Sequence, residues 1–285
     1  MKTKIINALI IKDFDQEPFF GEIVISDNKI TFVGENSSEE CDKVIDATGN
    51  IIMPGFVDVH THAAMTLFKG LSGGKPLQDW LYDMNKLEKD LSGGDVYYGT
   101  ALACLEFAKN GITTVCDNYH FADYSARAFA DCGIRAVVGI TQRYNLKKFL
   151  SEDETMELYT KVSNISDLIT ANFYCHSIYN ANENMFGVIN KLAQKTNSQV
   201  STHASETLEE VGKCAKDNDD MSPISLLESY GFFDRNSLVF HATNVDTNDI
   251  NILSKYKANV CANFGSNYKL ASGVAPIYQM SKIKQ

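Results

Sequence analysis

The six histidines carry the strongest chemical signal in the chain, through where they stand. His60 and His62 flank Thr61 at the end of an apolar stretch that reads as a strand. Side chains two apart on a strand point to the same side, so both imidazoles can reach one metal ion. His176, His203 and His241 each follow a later apolar stretch of the same kind, and Glu206 stands three residues beyond His203. For any one of them the plain alternative is a core histidine with its hydrogen bonds satisfied, and a lone pair of surface histidines two apart is common by chance. Five of the six placed alike argue against that alternative as a set. His120 escapes the scheme: it lies beyond Asp117-Asn118-Tyr119 and reads as structural or solvent-facing. A divalent ion held by such histidines would lower the pKa of its water toward ~7, which is the chemistry of hydrolysis at neutral pH.

These residues converge only if the strands that carry them lie side by side. From Ile51 onward, short apolar strands alternate with amphipathic helical stretches, the signature of repeated βα units and a parallel sheet. The strand candidates run Ile52 to Val59, Ile112 to Cys116, Ile134 to Ile140, Ala171 to Cys175, Gln199 to Thr202, Leu238 to Phe240 and Ala258 to Cys261. The clearest helix is Asp95 to Asn110, where Tyr98, Ala101, Leu102 and Leu105 recur at helical spacing. Ser92 and Asp95 make its capping box and Gly111 ends it. The expected fold is α/β: a TIM-type (β/α) barrel over residues 51–285, whose functional residues sit at the C-terminal ends of different strands. A full barrel needs eight strands and typically ~250 residues. Seven candidates are found and the last element is a helix over 275–284, so the barrel is expected to be incomplete, lacking its last βα unit. Residues 1–50 read as a partial β-sandwich of short strands, Ile5 to Ile11, Glu22 to Ser26, Lys29 to Val33 and Lys43 to Asp46, split by turn chemistry such as Asp27-Asn28.

A net charge of −10 argues against a nucleic-acid partner, because binding a phosphate backbone needs clustered Lys and Arg. The seven cysteines are an odd set without a CxxC pair, which fits neither a disulfide framework nor a thiolate zinc site and points to a reducing cytoplasm. Ile5 to Ile11 is followed by Lys12, Asp13 and Asp15 with no small-residue cleavage site, so it is not read as a signal peptide, and no run approaches the ~18 apolar residues of a membrane span.

Met53-Pro54-Gly55-Phe56-Val57-Asp58 ahead of His60-Thr61-His62, and His203-Ala204-Ser205-Glu206 after the fifth barrel strand, resemble the metal-dependent amidohydrolases. His62 to Gly70, Leu77-Gln78-Asp79-Trp80-Leu81, Tyr174-Cys175-His176-Ser177 with Tyr179, and Ser266-Asn267 with Lys269-Leu270 are similar to one branch of them. That branch holds the S-adenosylhomocysteine and methylthioadenosine deaminases and the triazine chlorohydrolases. The resemblance runs from about residue 1 to the end. It implies hydrolytic deamination of an adenine-type nucleoside, with one divalent ion, zinc or iron, held by His60, His62 and His203. It implies further that Glu206 moves a proton from the attacking water to the ring nitrogen and that His241 holds the hydroxide and stabilises the tetrahedral intermediate. His176, Trp80 and Asn267 are the candidate substrate contacts, Trp80 by covering an aromatic ring or thioether tail, its alternative being an ordinary buried aromatic. Arg143 could pair with a substrate carboxylate but reads more simply as solvated.

Two departures stand against the resemblance. The branch carries a metal-binding aspartate after strand eight, within a Gly-Thr-Asp-Gly stretch, that this sequence does not contain. Where the family has His-Asn-Pro before its Ser-Asn pair, this chain reads Ala262-Asn263-Phe264-Gly265. The missing unit should leave strand edges that a second copy or a complementing C-terminal polypeptide would cover. The alternatives to a working deaminase are a non-catalytic, metal-binding remnant and a chlorohydrolase-like activity on a heteroaromatic ring.

Overall fold

Pro54 decides where the first sheet stops. Proline has no N–H to give a ladder, and the single strand expected from Ile52 to Val59 is instead two, Ile51–Ile52 and Phe56–Thr61. The structure, a computed structural model, describes residues 1–282. It divides into two units, Met1–Phe56 and the chain from Val57 onward.

In the first unit β1 (Lys2–Ile10) is central. β2 (Phe19–Ser26) pairs with it antiparallel and carries β3 (Lys29–Gly34) on its far side, while β4 (Lys43–Asp46) and β5 (Ile51–Ile52) pair with β1 in parallel. The Asp27-Asn28 turn closes the β2–β3 hairpin, with Asp27 at φ +55° as the tight turn demands. Ala8, Ile10 and Ile23 form the small core of this sheet.

The second unit runs β6 (Phe56–Thr61), a 3₁₀ turn (Ala63–Phe68), α1 (Leu77–Glu88), α2 (Gly93–Lys109), β7 (Ile112–Asp117), α3 (Ala122–Cys132), β8 (Arg135–Ile140), α4 (Glu152–Ser163) and β9 (Ile169–Tyr174). It continues through α5 (Glu183–Thr196), β10 (Val200–Ala204), α6 (Leu208–Asp217), α7 (Pro223–Ser229), β11 (Ser237–His241), α8 (Thr247–Lys255), β12 (Asn259–Cys261), α9 (Phe264–Lys269) and α10 (Ile277–Lys282). The helix expected over 275–284 is α10, and residues 283 and 284 lie outside the described residues. β6 to β12 form a seven-stranded parallel sheet in which chain neighbours are sheet neighbours, the incomplete TIM-type barrel anticipated. β6 and β12 are its two ends, and among the described residues they do not pair with each other.

Alternate strand residues Val115, Ala136, Val138, Ala171 and Phe173 meet helix residues Phe129, Phe186 and Leu192 in one core between sheet and helices. Each buried phenylalanine contributes roughly 1.5–3 kcal/mol. Capping boxes at Ser92, Ser151 and Asp246 start α2, α4 and α8, each worth ~1 kcal/mol.

α2 begins and ends as its signals say, but its inward face is the opposite of the long apolar stripe. Tyr98 and Leu105 are 71% and 64% exposed, whereas Val96, Ala103 and Cys104 are buried. The cause is close packing: a Cβ on Gly99 would come within 2.5 Å of the Ala64 carbonyl oxygen. Small residues win the inner face because α2 lies directly on the turn that follows His62.

Asp117 ends β7 fully buried and accepts a hydrogen bond from the Ala63 N–H at 2.7 Å, and burial pushes its carboxyl up to about 7. An acid whose folded pKa exceeds its unfolded value of ~3.9 lends stability that is complete below that value and is lost as pH rises through the folded pKa. Asp117→Asn keeps the acceptor and removes the titration. The variant's Tm, followed by calorimetry, should fall less between pH 5 and pH 8 than the wild type's; parallel curves would show that Asp117 is ionised throughout.

Candidate metal centre

Three strand ends deliver the imidazoles. His60 lies on β6, His203 on β10 and His241 at the end of β11, where Ala204 of β10 pairs with His241 in register. One nitrogen from each of His60, His203 and His241 lies within 4.8 Å of the others, a spacing that suits one divalent ion. Nε2 of His60 and Nε2 of His203 are 2.8 Å apart. His62, one residue past β6, stands beside them with its ring centroid 4.9 Å from that of His60 and 5.3 Å from that of His203. The sharp turn-in is made by left-handed backbone at Ser205 (φ +54°), His241 (φ +74°) and Ala242 (φ +43°). Such residues cost on the order of 1–3 kcal/mol each and persist where the surroundings hold them. Here Ala242 N–H donates to the Ala204 carbonyl at 3.1 Å and Thr243 N–H to the Ser205 carbonyl at 3.0 Å.

The outer nitrogens set the inner ones. His62 Nδ1 meets the Asn118 carbonyl at 2.6 Å and His203 Nδ1 meets the His176 carbonyl at 2.7 Å. A carbonyl only accepts, so Nδ1 carries the proton in both and Nε2 keeps its lone pair. His241 Nδ1 likewise meets Asn267 Oδ1 at 2.7 Å, and Asn267 Nδ2 is turned to donate to Thr243 Oγ1 at 3.0 Å. Burial, with the neighbouring imidazoles, holds His60 and His203 well below the usual histidine range. Burial lowers His62 too, and takes His241 down to about 4. Neutral rings with oxygen acceptors behind them are the form in which histidine binds zinc. The residues present fit such an ion.

Glu206 follows β10 and is 4% exposed. Burial pushes its carboxyl up to about 7, the Glu210 carboxylate adds to this, and a hydrogen bond from Ser272 opposes it. Glu206 Oε2 lies 3.6 Å from His241 Nε2, and Ser272 Oγ donates to Oε1 at 3.2 Å. The Glu206 backbone is fixed as well: its N–H donates to Glu210 Oε2 at 2.8 Å, and its carbonyl accepts from Asn244 Nδ2 at 2.7 Å. A carboxyl that changes protonation near neutrality beside a metal site is suited to moving a proton.

A cavity of about 460 Å³ opens over these groups and is lined by His60, His62, His203, Glu206 and His241 together with Trp80 and His176. Trp80 is half-buried there. Asn267, expected to touch substrate, is fully buried, is not among the lining residues and spends its amide on His241 and Thr243. His120, read as structural or solvent-facing, lines the cavity beside Tyr119, their ring centroids 5.3 Å apart, and burial lowers it to about 4. Arg143 also lines the cavity, its guanidinium 4.9 Å from the Phe149 ring centre. His241, expected to act on the attacking water, belongs to the three-nitrogen group, whereas His62, expected as a ligand, stands just outside it. Ser272, Asn244 and Glu210 went unread in the sequence. Only Glu210 had a local signal, four residues past Glu206 across the Thr207 N-cap of α6.

The amidohydrolase family model matches residues 51–283. The chain is 35% identical to the 5'-deoxyadenosine deaminase of Methanosarcina acetivorans over 91% of its own length and 61% of that protein's. To the 5-methylthioadenosine/S-adenosylhomocysteine deaminase of Thermococcus onnurineus it is 33% identical, over 98% of its own length and 67% of the relative's. The crystal structure of an adenosine deaminase from Xanthomonas campestris with bound zinc superposes with a TM-score of 0.90 at 25% identity, covering 99% of this chain and 66% of that one. The chain thus spans about three fifths of the length of the first of these relatives.

Asn267→Ala should remove the acceptor behind His241 and weaken zinc binding by ~10–100-fold, measured by competition with a chromophoric chelator. Unchanged affinity would show that the third imidazole does not depend on that bond.

Proposed function

The chain belongs to the amidohydrolase family, and on that footing we propose that it hydrolytically deaminates an adenine-type nucleoside of the S-adenosylhomocysteine or methylthioadenosine kind. The observation that carries the reading is the set of inward Nε2 lone pairs facing a protonatable Glu206 at the floor of a cavity lined by Trp80 and His176. His60, His62 and His203, with His241 beside them, would hold one divalent ion, zinc before iron. When bound, such an ion makes water acidic enough to serve as hydroxide near neutral pH.

The chain's own groups do the rest. Glu206 takes a proton from the attacking water and hands it to the ring nitrogen, which makes the ring carbon electrophilic; the water's second proton then passes to the amine, and the C–N bond breaks to release ammonia. His241, neutral and fixed by Asn267, keeps its Nε2 lone pair free to accept a hydrogen bond from the attacking water and so aligns the oxygen with the ring carbon. His176 Nδ1 is occupied by Asn180 Nδ2 at 3.2 Å and Ser177 Oγ at 3.0 Å. That leaves its Nε2–H to donate to a heterocyclic nitrogen, while Trp80 covers the ring.

A second reading, a metal-binding chain without turnover, draws on one observation: among the described residues the metal-sized group holds three imidazoles and no carboxylate. The partner part of the proposal is a small molecule in the cavity, with a second copy or a complementing polypeptide over the β6 and β12 edges. Phe56, Val57 and Val59 of β6 are 55%, 60% and 45% exposed, which supports a cover there. Among the described residues no helix is long and apolar enough to cross a membrane. A cytoplasmic setting is proposed from the cysteine pattern alone.

Zinc-loaded chain should remove the amine from S-adenosylhomocysteine or methylthioadenosine, seen as loss of the adenine absorbance. Glu206→Gln should keep its metal and lose ~10²–10⁴-fold in kcat. A metal-loaded wild type that leaves both nucleosides intact would sink the deaminase reading in favour of the second.

A further inference from the structure

We propose that Ser272 is the positioning residue for Glu206, turning its carboxylate so that Oε2, and not Oε1, carries the proton. This rests on the deaminase reading and adds to it a residue from outside the strand ends. A carboxylate offers two oxygens, and its terminal torsion is broad and nearly two-fold, so a buried glutamate with one face to the reaction needs something to choose the face. The Ser272 hydroxyl makes that choice by donating to Oε1 at 3.2 Å, and Oε2 is left 3.6 Å from His241 Nε2. Both residues are shut off from solvent, Glu206 at 4% and Ser272 at 5% exposure, so little water is at hand to replace the bond.

Ser272 is itself held at two points. Its N–H donates to the Asn267 carbonyl at 2.8 Å, and its carbonyl accepts from Asn244 Nδ2 at 3.1 Å. The same Asn244 amide donates to the Glu206 carbonyl at 2.7 Å, so one side chain ties the backbone of the carboxylate to the backbone of the hydroxyl that orients it. Gly273, at φ +114°, makes the turn that presents Ser272; a Cβ there would sit 3.2 Å from Thr243 Cγ2. The segment that fixes His241 through Asn267 therefore also fixes Glu206 through Ser272. In the reaction Ser272 keeps its own proton: Oε2 accepts one from water and gives one to the ring nitrogen, and Oε1 stays a hydrogen-bond acceptor throughout.

The test is a pair of high-resolution crystal structures of the full chain, wild type and Ser272→Ala, with kcat and KM for methylthioadenosine measured on the same preparations. The Glu206 carboxylate should hold one orientation in the wild type and lose it in Ser272→Ala. kcat should fall ~10–100-fold at unchanged KM, the scale of a small misplacement of a reacting group. Ser272→Thr, which keeps the hydroxyl, should recover most of the loss, and in a Glu206→Gln background Ser272→Ala should cost nothing further. An unmoved carboxylate in Ser272→Ala, an unchanged kcat, or a full further loss on top of Glu206→Gln overturns the proposal. A wild type without turnover defeats the deaminase reading instead, and the two structures then decide the role of Ser272 by themselves.

Discussion

Four imidazoles share one end of the sheet and must all stay uncharged, and the rest of the site follows from that constraint. Two of their nitrogens, His60 Nε2 and His203 Nε2, are 2.8 Å apart. Two unit charges even at 4 Å repel by ~4 kcal/mol at an effective dielectric of ~20. Burial makes the charged forms costlier still, and the shifts of His60, His62, His203 and His241 all run downward for that reason first. Neutral rings still have a choice of tautomer. The carbonyls of Asn118 and His176 and the amide oxygen of Asn267 make it by accepting from Nδ1, which turns the lone pairs inward.

Those three oxygens explain why the fold needs its neighbours in order. Asn118 follows β7 and serves His62, which follows β6; its own N–H returns to the Thr61 carbonyl at 3.1 Å. His176 follows β9 and serves His203 on the adjacent β10. Asn267 lies on α9, beyond β12, and serves His241 on β11. Each of these three rings is thus fixed by the element next to its own, and a parallel sheet with its strands in chain order supplies such neighbours. The left-handed residues are Ser205, one past the end of β10, and His241, which pairs with Ala204 at the end of β11, where two paired strands stop and turn their side chains over one point. This local cost is offset by the core between sheet and helices, around Val115, Phe129 and Phe173.

What was legible in the sequence was local. The spacing in His60-Thr61-His62 puts two rings on one side whatever surrounds them, and the Ser92 box and Gly111 mark the ends of α2 through the backbone alone. The break at Pro54 was lost because the residues on both sides are apolar and read as one run. Hydrophobic periodicity marks the stripe of long side chains on α2, while the close approach to Ala64 selects small ones for its inner face. Asn267 stood out as part of a motif, but its role depends on a partner 26 residues away, and the Ser272 to Glu206 bond spans 66 residues. Bonds of that reach leave no periodic trace, and only the folded chain displays them.

The central claim is that inward imidazole nitrogens, and not the chain's thiols or scattered carboxylates, hold the metal. X-ray absorption at the zinc edge of the zinc-loaded chain tests this most directly. The account predicts one ion surrounded by nitrogen and oxygen at ~2.0–2.2 Å, with the outer-shell scattering of at least three imidazoles. A sulfur shell at ~2.3 Å, or a zinc spectrum without imidazole scattering, would contradict it.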